Sequence, residues 1–327
     1  MSTAKATALV GLIEATGRGG VFDTTSAGNV GGTTIVSTNW QSAALLPTDH
    51  LDGVWMNVPS ITAPRQARVT PTGLTIGSGT IALDVALGAQ VGSGVTVRWS
   101  PLLPIVSAAS VSGPSFEDCL YETLRHLLAP DEVSVAVATT PEIPLSTWAS
   151  WLNRSDRLVG VLEPSPVSGY AALDTGYRPR LVTSRWGDMR YGEDNVRDIR
   201  LVLDGEAPML RLTVPYAAAS GNLTLQVLRP ADTWFKTSGT WTETAPGTAL
   251  AAETDECLPD MRHLREAGLV FVYRALAASR EGPRRAEYQA KYEAQLALAR
   301  QLPYWDHSRD DLEPRPPSAA SQQQEAA

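Results

Sequence analysis

The sequence predicts an α+β protein that contains two β-rich, sandwich-like or barrel-like units and a C-terminal helical hairpin. In two separate regions, short runs rich in β-branched residues alternate with Gly, Pro, Ser and Asp about every ten residues, which is typical of small sandwiches and barrels. After about residue 251 the apolar period changes from two to that of an α-helix. These patterns predict β-rich units followed by a pair of helices.

The composition is that of a folded chain with its own core. Of 327 residues, 43% are hydrophobic and 19% are charged, which is ordinary for globular proteins of about two domains. The net charge of −8 gives no general attraction to nucleic acid. Cys119 and Cys257 are too few for a disulfide framework. No apolar run reaches the ~18 residues of a membrane span, so no membrane partner is expected.

The N-terminal part of the chain divides into an arm and a β domain. Residues 1–19 contain an apolar stretch that is too short for a secretory signal, so they are expected to form an N-terminal arm. Residues 20–112 are expected to form the first β domain. In one of its runs Ile81, Leu83 and Val85 alternate along the chain and share one face. Its strands are predicted at 33–37, 54–58, 67–70, 80–85 and 95–99.

Residues 113–169 are expected to form a linker region with one short helix and one strand. Ser115 is followed three residues later by an acid, which is typical of a capping box. Leucines then recur at helical spacing until Pro130, so a helix is predicted over 116–129. An alternating strand is predicted over 133–137.

Residues 170–250 are expected to form the second β-rich domain. Two runs rich in Trp and Thr flank Ser238 and Gly239, which predicts a hairpin with its tip at these residues. Alternating runs predict further strands around Ile199–Leu203, Leu210–Val214 and Leu223–Val227.

Residues 251–305 are expected to form the helical hairpin. The apolar positions of the first helix begin at Leu258, and Thr254 is a candidate N-cap. Gly282 and Pro283 break the pattern. A lone hairpin cannot hide two apolar faces from water, so these faces are expected to meet the β units or a neighbouring subunit. The stripe of the second helix consists of Tyr288, Tyr292, Leu296, Ala299 and Leu302.

Residues 306–327 are expected to form a polar C-terminal tail. From Ser308 onwards Pro, Ser, Gln and Ala dominate, and only Leu312 could anchor a core. Such a composition predicts disorder in isolation. Binding to another protein chain would give the tail an ordered path.

The sequence contains none of the common motifs of nucleotide, metal or hydrolase chemistry. It has no G-x-x-x-x-G-K-[ST], no G-x-G-x-x-G, no H-E-x-x-H and no G-x-S-x-G. Its histidines are scattered, without a second ligand at metal-binding spacing. The stretch Asp49–Asp52 brackets His50 with two acids but is better explained as a turn. We therefore expect a protein that is not an enzyme and has no catalytic residue, cofactor or metal.

A carbohydrate-binding or carbohydrate-hydrolysing protein stays open as an alternative. Tryptophans in or beside predicted strands could act as stacking platforms, although large aromatics in strands more often pack in cores. These tryptophans are Trp40, Trp55, Trp99, Trp234 and Trp241. The carboxylates that could serve such chemistry include Asp84, Glu163 and Asp174.

Two parts of the chain resemble proteins of tailed bacteriophages. The first is similar to a β module of phage structural proteins, in which a threonine-rich strand leads to an Asp-Gly-Trp turn and strand, a short arginine-containing strand and a final hairpin. Its residues here are Gly32–Val36, Asp49–Val58, Ala67–Thr70, Gly79–Leu83 and Val95–Trp99. The second is the terminal hairpin from Leu258 to Arg300, which resembles helices of phage neck or adaptor proteins.

The resemblance implies a structural virion protein, assembled in the host cytoplasm, that acts as a head-to-tail connector or adaptor in the phage neck. Such adaptors form homo-oligomeric rings, commonly twelvefold, beneath the portal protein and join the capsid to tail proteins. DNA passes through their channel without specific binding, and their C-terminal segments often run into the portal. Another tail, baseplate or fibre-anchoring protein is the alternative within the same resemblance.

The expected partner-binding residues are apolar and aromatic side chains of the hairpin and of the segment after it. We expect sister copies or a portal ring to cover them. They are Phe271, Tyr288, Tyr292, Leu296, Tyr304, Trp305 and Leu312.

Overall fold

The protein is an α+β protein with antiparallel sheets and a C-terminal pair of helices, which confirms the predicted fold class. The structure is a computed structural model. It describes residues 2–39, 53–75, 78–107, 113–136, 142–144, 146, 151–152, 157–162, 180–185, 198–204, 207–211, 222–245, 250 and 252–309.

The chain divides into two compact units, and the second is inserted into the sequence of the first. Unit 1 consists of Met1–Leu127 and Ala231–Ala327, and unit 2 of Leu128–Pro230. The sequence pattern instead predicts six segments that follow one another along the chain, including a β domain at 170–250. The two divisions differ because strands that are distant in sequence pair with each other, and an alternating pattern does not reveal the partner of a strand.

Among the described residues, four α-helices lie in unit 1. Ser115 and Asp118 form the predicted capping box of the second helix. The Asp260 side chain accepts a hydrogen bond at the start of the third. Gly282 has a φ of 60°, which lets the chain turn between the last two. The helices are α1 (Lys5–Ala15), α2 (Phe116–Arg125), α3 (Met261–Ser279) and α4 (Gly282–Ala299).

The first residues are not a lead-in arm, because residues 5–15 form α1. This helix packs against α2 and α3. Before it, β1 (Thr3–Ala4) pairs with β17 (Glu256–Cys257). The short apolar stretch of the sequence is therefore a core helix, which only its tertiary contacts reveal. Its fully buried side chains include Ala8, Leu9, Leu12 and Ile13.

The helix predicted over 116–129 is too long at its C-terminal end. It ends at Arg125, and Leu128 already belongs to strand β8 (Leu128–Ala136). Pro130 lies within that strand and has no N–H for a helical hydrogen bond, so the helix has to end before it. Leu128 continues the leucine spacing of the helix but is the first residue of the strand, so the spacing alone does not show where the helix ends.

The predicted N-cap at Thr254 is also wrong. Residues Glu256–Cys257 form β17, and α3 begins only at Met261 with Asp260 as its cap. Leu258 therefore lies before the helix. The acidic residues that follow Thr254 suit a helix start, but here Asp255 accepts a hydrogen bond from the Ala252 N–H and Glu256 belongs to the strand that pairs with β1.

The first β region of unit 1 is a six-stranded sheet in the order β2-β7-β4-β5-β6-β3. The strands β3 to β7 confirm all five predictions for this region. Buried side chains such as Ile35, Met56, Ile81 and Val97 form one core on this sheet. The strands are β2 (Gly20–Asp23), β3 (Thr34–Val36), β4 (Trp55–Asn57), β5 (Gln66–Thr75), β6 (Thr80–Leu83) and β7 (Thr96–Ser100).

A second sheet of unit 1 has the order β1-β17-β15-β16. Strands β15 (Trp234–Thr237) and β16 (Thr240–Glu243) form the predicted hairpin. Ser238 and Gly239 both have a positive φ, of 50° and 88°, as a two-residue turn of type I′ requires. Because β1 lies in this sheet, the N-terminal residues are held beside the segment that leads into α3.

The described residues of unit 2 form two sheets, in the orders β10-β14-β8 and β11-β12-β13-β9. The pair β11–β12 is parallel, whereas the other pairs are antiparallel. In the first sheet Arg229 lies 2.7 Å from Asp131 and over the ring of Trp151. The remaining strands are β9 (Glu142–Pro144), β10 (Leu158–Leu162), β11 (Arg180–Arg185), β12 (Asp198–Asp204), β13 (Ala207–Arg211) and β14 (Asn222–Pro230).

Helix α3 is the centre of the helical core, because it contacts α1, α2 and α4. Its buried side chains include Leu264, Val270 and Phe271. Gly268 lets α1 approach closely, since a Cβ at this position would lie 2.7 Å from Leu12 Cδ1. The helical apolar stripes thus close against one another inside a single chain.

Replacing Gly268 by Leu is expected to destabilise the protein, because the site has no room for a side chain. Overpacking a core costs about 1–3 kcal/mol, and a whole leucine side chain should reach the upper end of that range. Urea unfolding of Gly268→Leu measures the loss. Ala290→Leu adds the same side chain at an exposed position of α4 and should leave the midpoint unchanged. Equal stability of both variants would contradict the packing of α1 on α3.

Candidate functional site

The structure buries most of the predicted partner-binding side chains inside one chain, so the prediction is wrong for them. Helices α1 and α2 pack on α3, and α3 and α4 pack on each other, so the apolar stripes of these described helices are covered within the chain. Tyr304 is half-buried and meets the ring of His263 edge-on. Leu312 lies outside the described residues. The five residues that are only 2–9% exposed are Phe271, Tyr288, Tyr292, Leu296 and Trp305.

The last described residues return to the helical core and form what we call the C-terminal anchor, defined as His126, Asp232, Phe271, Trp305 and Arg309. The Trp305 ring lies 6.4 Å from that of Phe271 and 5.6 Å from that of His126. The rings of His126 and Phe271 are 4.9 Å apart. The chain therefore does not leave the fold at the end of α4, because Trp305 is inserted between α2 and α3.

His126 connects the end of α2 to the last described turn. Its Nδ1 lies 2.9 Å from the carbonyl oxygen of Glu122, and its Nε2 lies 3.0 Å from that of Arg309. A neutral imidazole has one N–H, so the tautomer decides which of the two contacts is an N–H···O hydrogen bond. In return, the Asp306 N–H donates to the His126 carbonyl oxygen at 2.8 Å.

Arg309 fixes the point at which the polar tail begins. Its guanidinium donates to the carbonyl oxygen of Arg125 at 2.6 Å. It also lies 3.1 Å from the carboxylate of Asp232, which is buried in the turn before β15. A charge-assisted bond to a buried carboxylate is stronger than a solvent-exposed pair. Residues 310–327 therefore start from a position that two separate elements of unit 1 hold.

A buried ion pair joins α1 to α2. Lys5 Nζ lies 2.5 Å from Glu117 Oε1, and the two side chains are 2% and 9% exposed. Lys5 also donates to the Leu250 carbonyl oxygen at 2.7 Å. Glu117 accepts from the Tyr121 hydroxyl at 2.9 Å and from the Ser107 N–H at 3.0 Å. Both buried charges are therefore hydrogen-bonded, which is what an ion pair needs to survive burial.

The pKa values in this cluster fix its charge state. Burial alone would raise the pKa of Glu117, but the hydrogen bond and charge of Lys5, together with Ser107 and Tyr121 as donors, lower it below the usual range. Burial, followed by the charge of Glu117, raises the pKa of Tyr121. At neutral pH Glu117 is ionised and Tyr121 is neutral. The cluster therefore has the chemistry of a structural anchor and not of a general acid and base.

Glu253 joins the six-stranded sheet to the segment before α3. Its carboxylate lies 2.8 Å from Arg98 and 3.1 Å from Arg65. Nearby, the Gln66 side chain accepts from the Ile105 N–H at 2.6 Å. These bonds supplement the apolar contacts within unit 1 and fix the sheet against the chain that leads into the helical core.

The residues of the carbohydrate alternative serve mainly in packing where the structure describes them. Trp55 and Trp99 are buried in unit 1. Trp234 and Trp241 stack on each other, with their ring centroids 6.3 Å apart. The Asp84 carboxylate accepts a backbone N–H at 2.8 Å. Outside the described residues lie Trp40, Glu163, Asp174 and the Asp49–Asp52 stretch.

Within the described part of the chain, no group of three His, Cys, Asp or Glu side chains could hold a metal ion. The helices that the structure describes include none that is long and apolar enough to cross a membrane. Cys119 and Cys257 are buried and free. Burial raises the pKa of Cys119, and it raises that of Cys257 to about 12, so both thiols stay protonated and unreactive.

Sequence reasoning named Phe271 and Trp305 only as partner-binding residues and assigned no anchoring role to the polar residues of the two anchors. Lys5 gave a weak signal, since it is the single charged residue before the apolar stretch that ends at Ile13. His126 and Arg309 are 183 residues apart, so no spacing rule links them.

Comparisons with known proteins assign no family to the chain. No protein-family model matches it, and no curated protein matches it significantly.

Replacing Lys5 by Met is expected to destabilise the protein strongly, because it leaves the Glu117 carboxylate buried without a counter-charge. Removing one partner of a buried ion pair costs about 3–5 kcal/mol. The double variant Lys5→Met/Glu117→Gln should recover part of that loss. Chemical denaturation at pH 7 measures both variants, and a Lys5→Met protein as stable as the wild type would contradict the anchor.

The stability of the wild type is expected to fall with pH in the acidic range. Because folding lowers the pKa of Glu117, its ion pair contributes fully above the unfolded-state value of about 4.3 and is lost as pH falls through the folded value. Glu117→Gln should flatten this part of a plot of unfolding free energy against pH. An unchanged slope would assign the acid sensitivity to other carboxylates.

Replacing His126 by Ala is expected to loosen the C-terminal anchor while the helices stay folded. A hydrogen bond contributes about 0.5–1.5 kcal/mol net, so the Asp306 and Arg309 amides should exchange roughly 2- to 10-fold faster. Hydrogen exchange measured by NMR gives these rates. His307→Ala removes an exposed histidine of the same segment and should leave them unchanged. Equal rates in His126→Ala and wild type would contradict the role of this imidazole.

Proposed function

We propose that this chain is a structural protein of a tailed-phage virion, a head-to-tail connector that forms a homo-oligomeric ring under the portal protein and joins the capsid to tail proteins. The proposal is supported by the resemblance of the first β module and of the C-terminal hairpin to phage proteins. It assigns no catalytic residue, and DNA passes through the ring without sequence-specific binding.

The observation that carries the proposal is the fixed base of the polar tail. Arg309 is held by α2 and by Asp232, whereas residues 310–327 contain Leu312 as their single large apolar side chain. Such a segment cannot bury enough apolar surface to fold alone. Fully extended, it reaches up to about 60 Å. A fixed base followed by a long polar segment suits insertion into a neighbouring ring, which in this proposal is the portal.

In this proposal, copies of the chain do not meet through the apolar faces of the helical hairpin, as the sequence pattern suggests. Because the α3 and α4 stripes are covered within one chain, subunit contacts use outer surfaces and the tail. Leu298 on α4 is 58% exposed and is one apolar group on such a surface. A subunit that folds alone can stay monomeric when dilute, and its assembly then depends on its concentration and on binding to the portal.

Removing residues 310–327 is expected to leave the fold intact and to weaken binding to a portal ring at least tenfold. The cut is placed after Arg309 because that residue belongs to the anchor. Native mass spectrometry of the chain alone and with a purified portal ring measures assembly, and thermal unfolding checks the fold. A chain with the same tail residues in scrambled order controls for tail length and composition.

Three outcomes separate this proposal from its alternatives. A wild-type chain that stays monomeric and never joins a portal would contradict it. Threefold or sixfold assembly without portal binding would favour a tail, baseplate or fibre-anchoring protein instead. Normal portal binding after removal of the tail would refute the role given to residues 310–327.

A further inference from the structure

The arginines in the helical part of unit 1 differ in whether they have acidic partners. Three exposed arginines form ion pairs: Arg125 with Glu122, Arg262 with Glu266 and Arg265 with Glu14. In contrast, Arg18, Arg284 and Arg285 are exposed, and their side chains have no ion pair or hydrogen bond with another residue that the structure describes. Two of these three guanidinium groups, those of Arg284 and Arg285, lie at the α3–α4 turn.

Four basic residues lie close together in sequence around this turn, and with Arg18 we call them the arginine patch, defined as Arg18, Arg280, Arg284, Arg285 and Lys291. Arg280 is the C-cap of α3, and Arg284 and Arg285 lie in the first turn of α4, so the turn itself brings them together. Lys291 follows on α4, where it pairs with Glu287 at 2.6 Å.

Arg18 joins this surface from the connection after α1. The pKa of Glu287 is lowered first by its hydrogen bond and ion pair with Lys291, and further by the positive charges of Arg18 and Arg284. Arg18 therefore lies close enough to α4 to act on the same carboxylate. The patch holds five positive side chains around Glu281 and Glu287, in a chain whose net charge is −8.

The surroundings of the arginine patch indicate the kind of partner. The exposed residues among the arginines are Gly282, Pro283 and Ala286, which offer no large apolar side chain. A stable protein–protein interface has a desolvated apolar centre, which these three residues do not provide. Guanidinium groups without partners are suited to phosphate oxygens, which they bind through paired N–H donors.

We propose that the arginine patch binds the backbone phosphates of double-stranded DNA without reading its sequence. The inference goes beyond the proposed function, because a single chain carries the whole patch and can be tested without a ring. The logarithm of the binding constant falls as the logarithm of the salt concentration rises, and each phosphate contact makes this slope steeper by about 0.9. Because the patch offers only a few such contacts, we expect weak binding that is detectable only at low salt.

The test is the salt dependence of binding to a fluorescently labelled duplex of mixed sequence, followed by anisotropy. The double variant Arg284→Gln/Arg285→Gln should reduce the slope by about two, and Arg18→Gln should reduce it by about one. The control Arg262→Gln/Arg265→Gln removes two charges that already have acidic partners and should leave the slope unchanged. Thermal unfolding checks that all variants fold.

A wild-type chain that does not bind the duplex at low salt would overturn the proposal. Equal losses in the two double variants would also overturn it, because they would assign binding to overall charge. Equal affinity for polyglutamate at the same salt would assign the patch to an acidic protein and would exclude specific phosphate binding. These outcomes are independent of whether the chain assembles on a portal.

Discussion

The closure of the helical core around α3 is the constraint on which the rest of unit 1 depends. Helices α1 and α2 flank the first β region in sequence, whereas α3 and α4 follow unit 2, and all four pack together. The close contact at Gly268 leaves no room for a side chain between α1 and α3. The chain must therefore return to one core after each β region, which explains why strands distant in sequence pair at β1 and β17.

Polar groups fix the first residues of α1 and the segment that ends at Arg309 onto this core. At the N-terminal end, Lys5 and Glu117 are buried as an ion pair. Each also forms a hydrogen bond with a backbone group, which replaces the water that it loses on burial. At the C-terminal end, the His126 ring contacts the Arg309 carbonyl oxygen, and Arg309 bonds to the Arg125 carbonyl oxygen and to buried Asp232. Such bonds specify geometry more than they add stability, because the desolvation of each charge offsets most of the attraction. The consequence is a defined origin for the polar tail.

Local patterns predicted the local features of this fold well. The capping box at Ser115, the five strands of the first β region and the turn at Ser238 depend on neighbours in sequence, and all are present. The covering of Phe271 and Tyr292 depends on which helices meet, and an apolar stripe looks the same whether its own chain or a partner covers it. The ion pair of Lys5 was invisible for the same reason.

A closed core changes the account of assembly, because a subunit that folds alone can use its polar and charged surfaces for contacts. Hydrogen exchange of α3 and α4 over a wide range of protein concentrations tests this most directly. The account predicts strong amide protection around Phe271 and Tyr292 in dilute monomeric chain, unchanged at high concentration. Protection that arises only when the chain associates would contradict it, because the apolar faces would then be covered by other subunits.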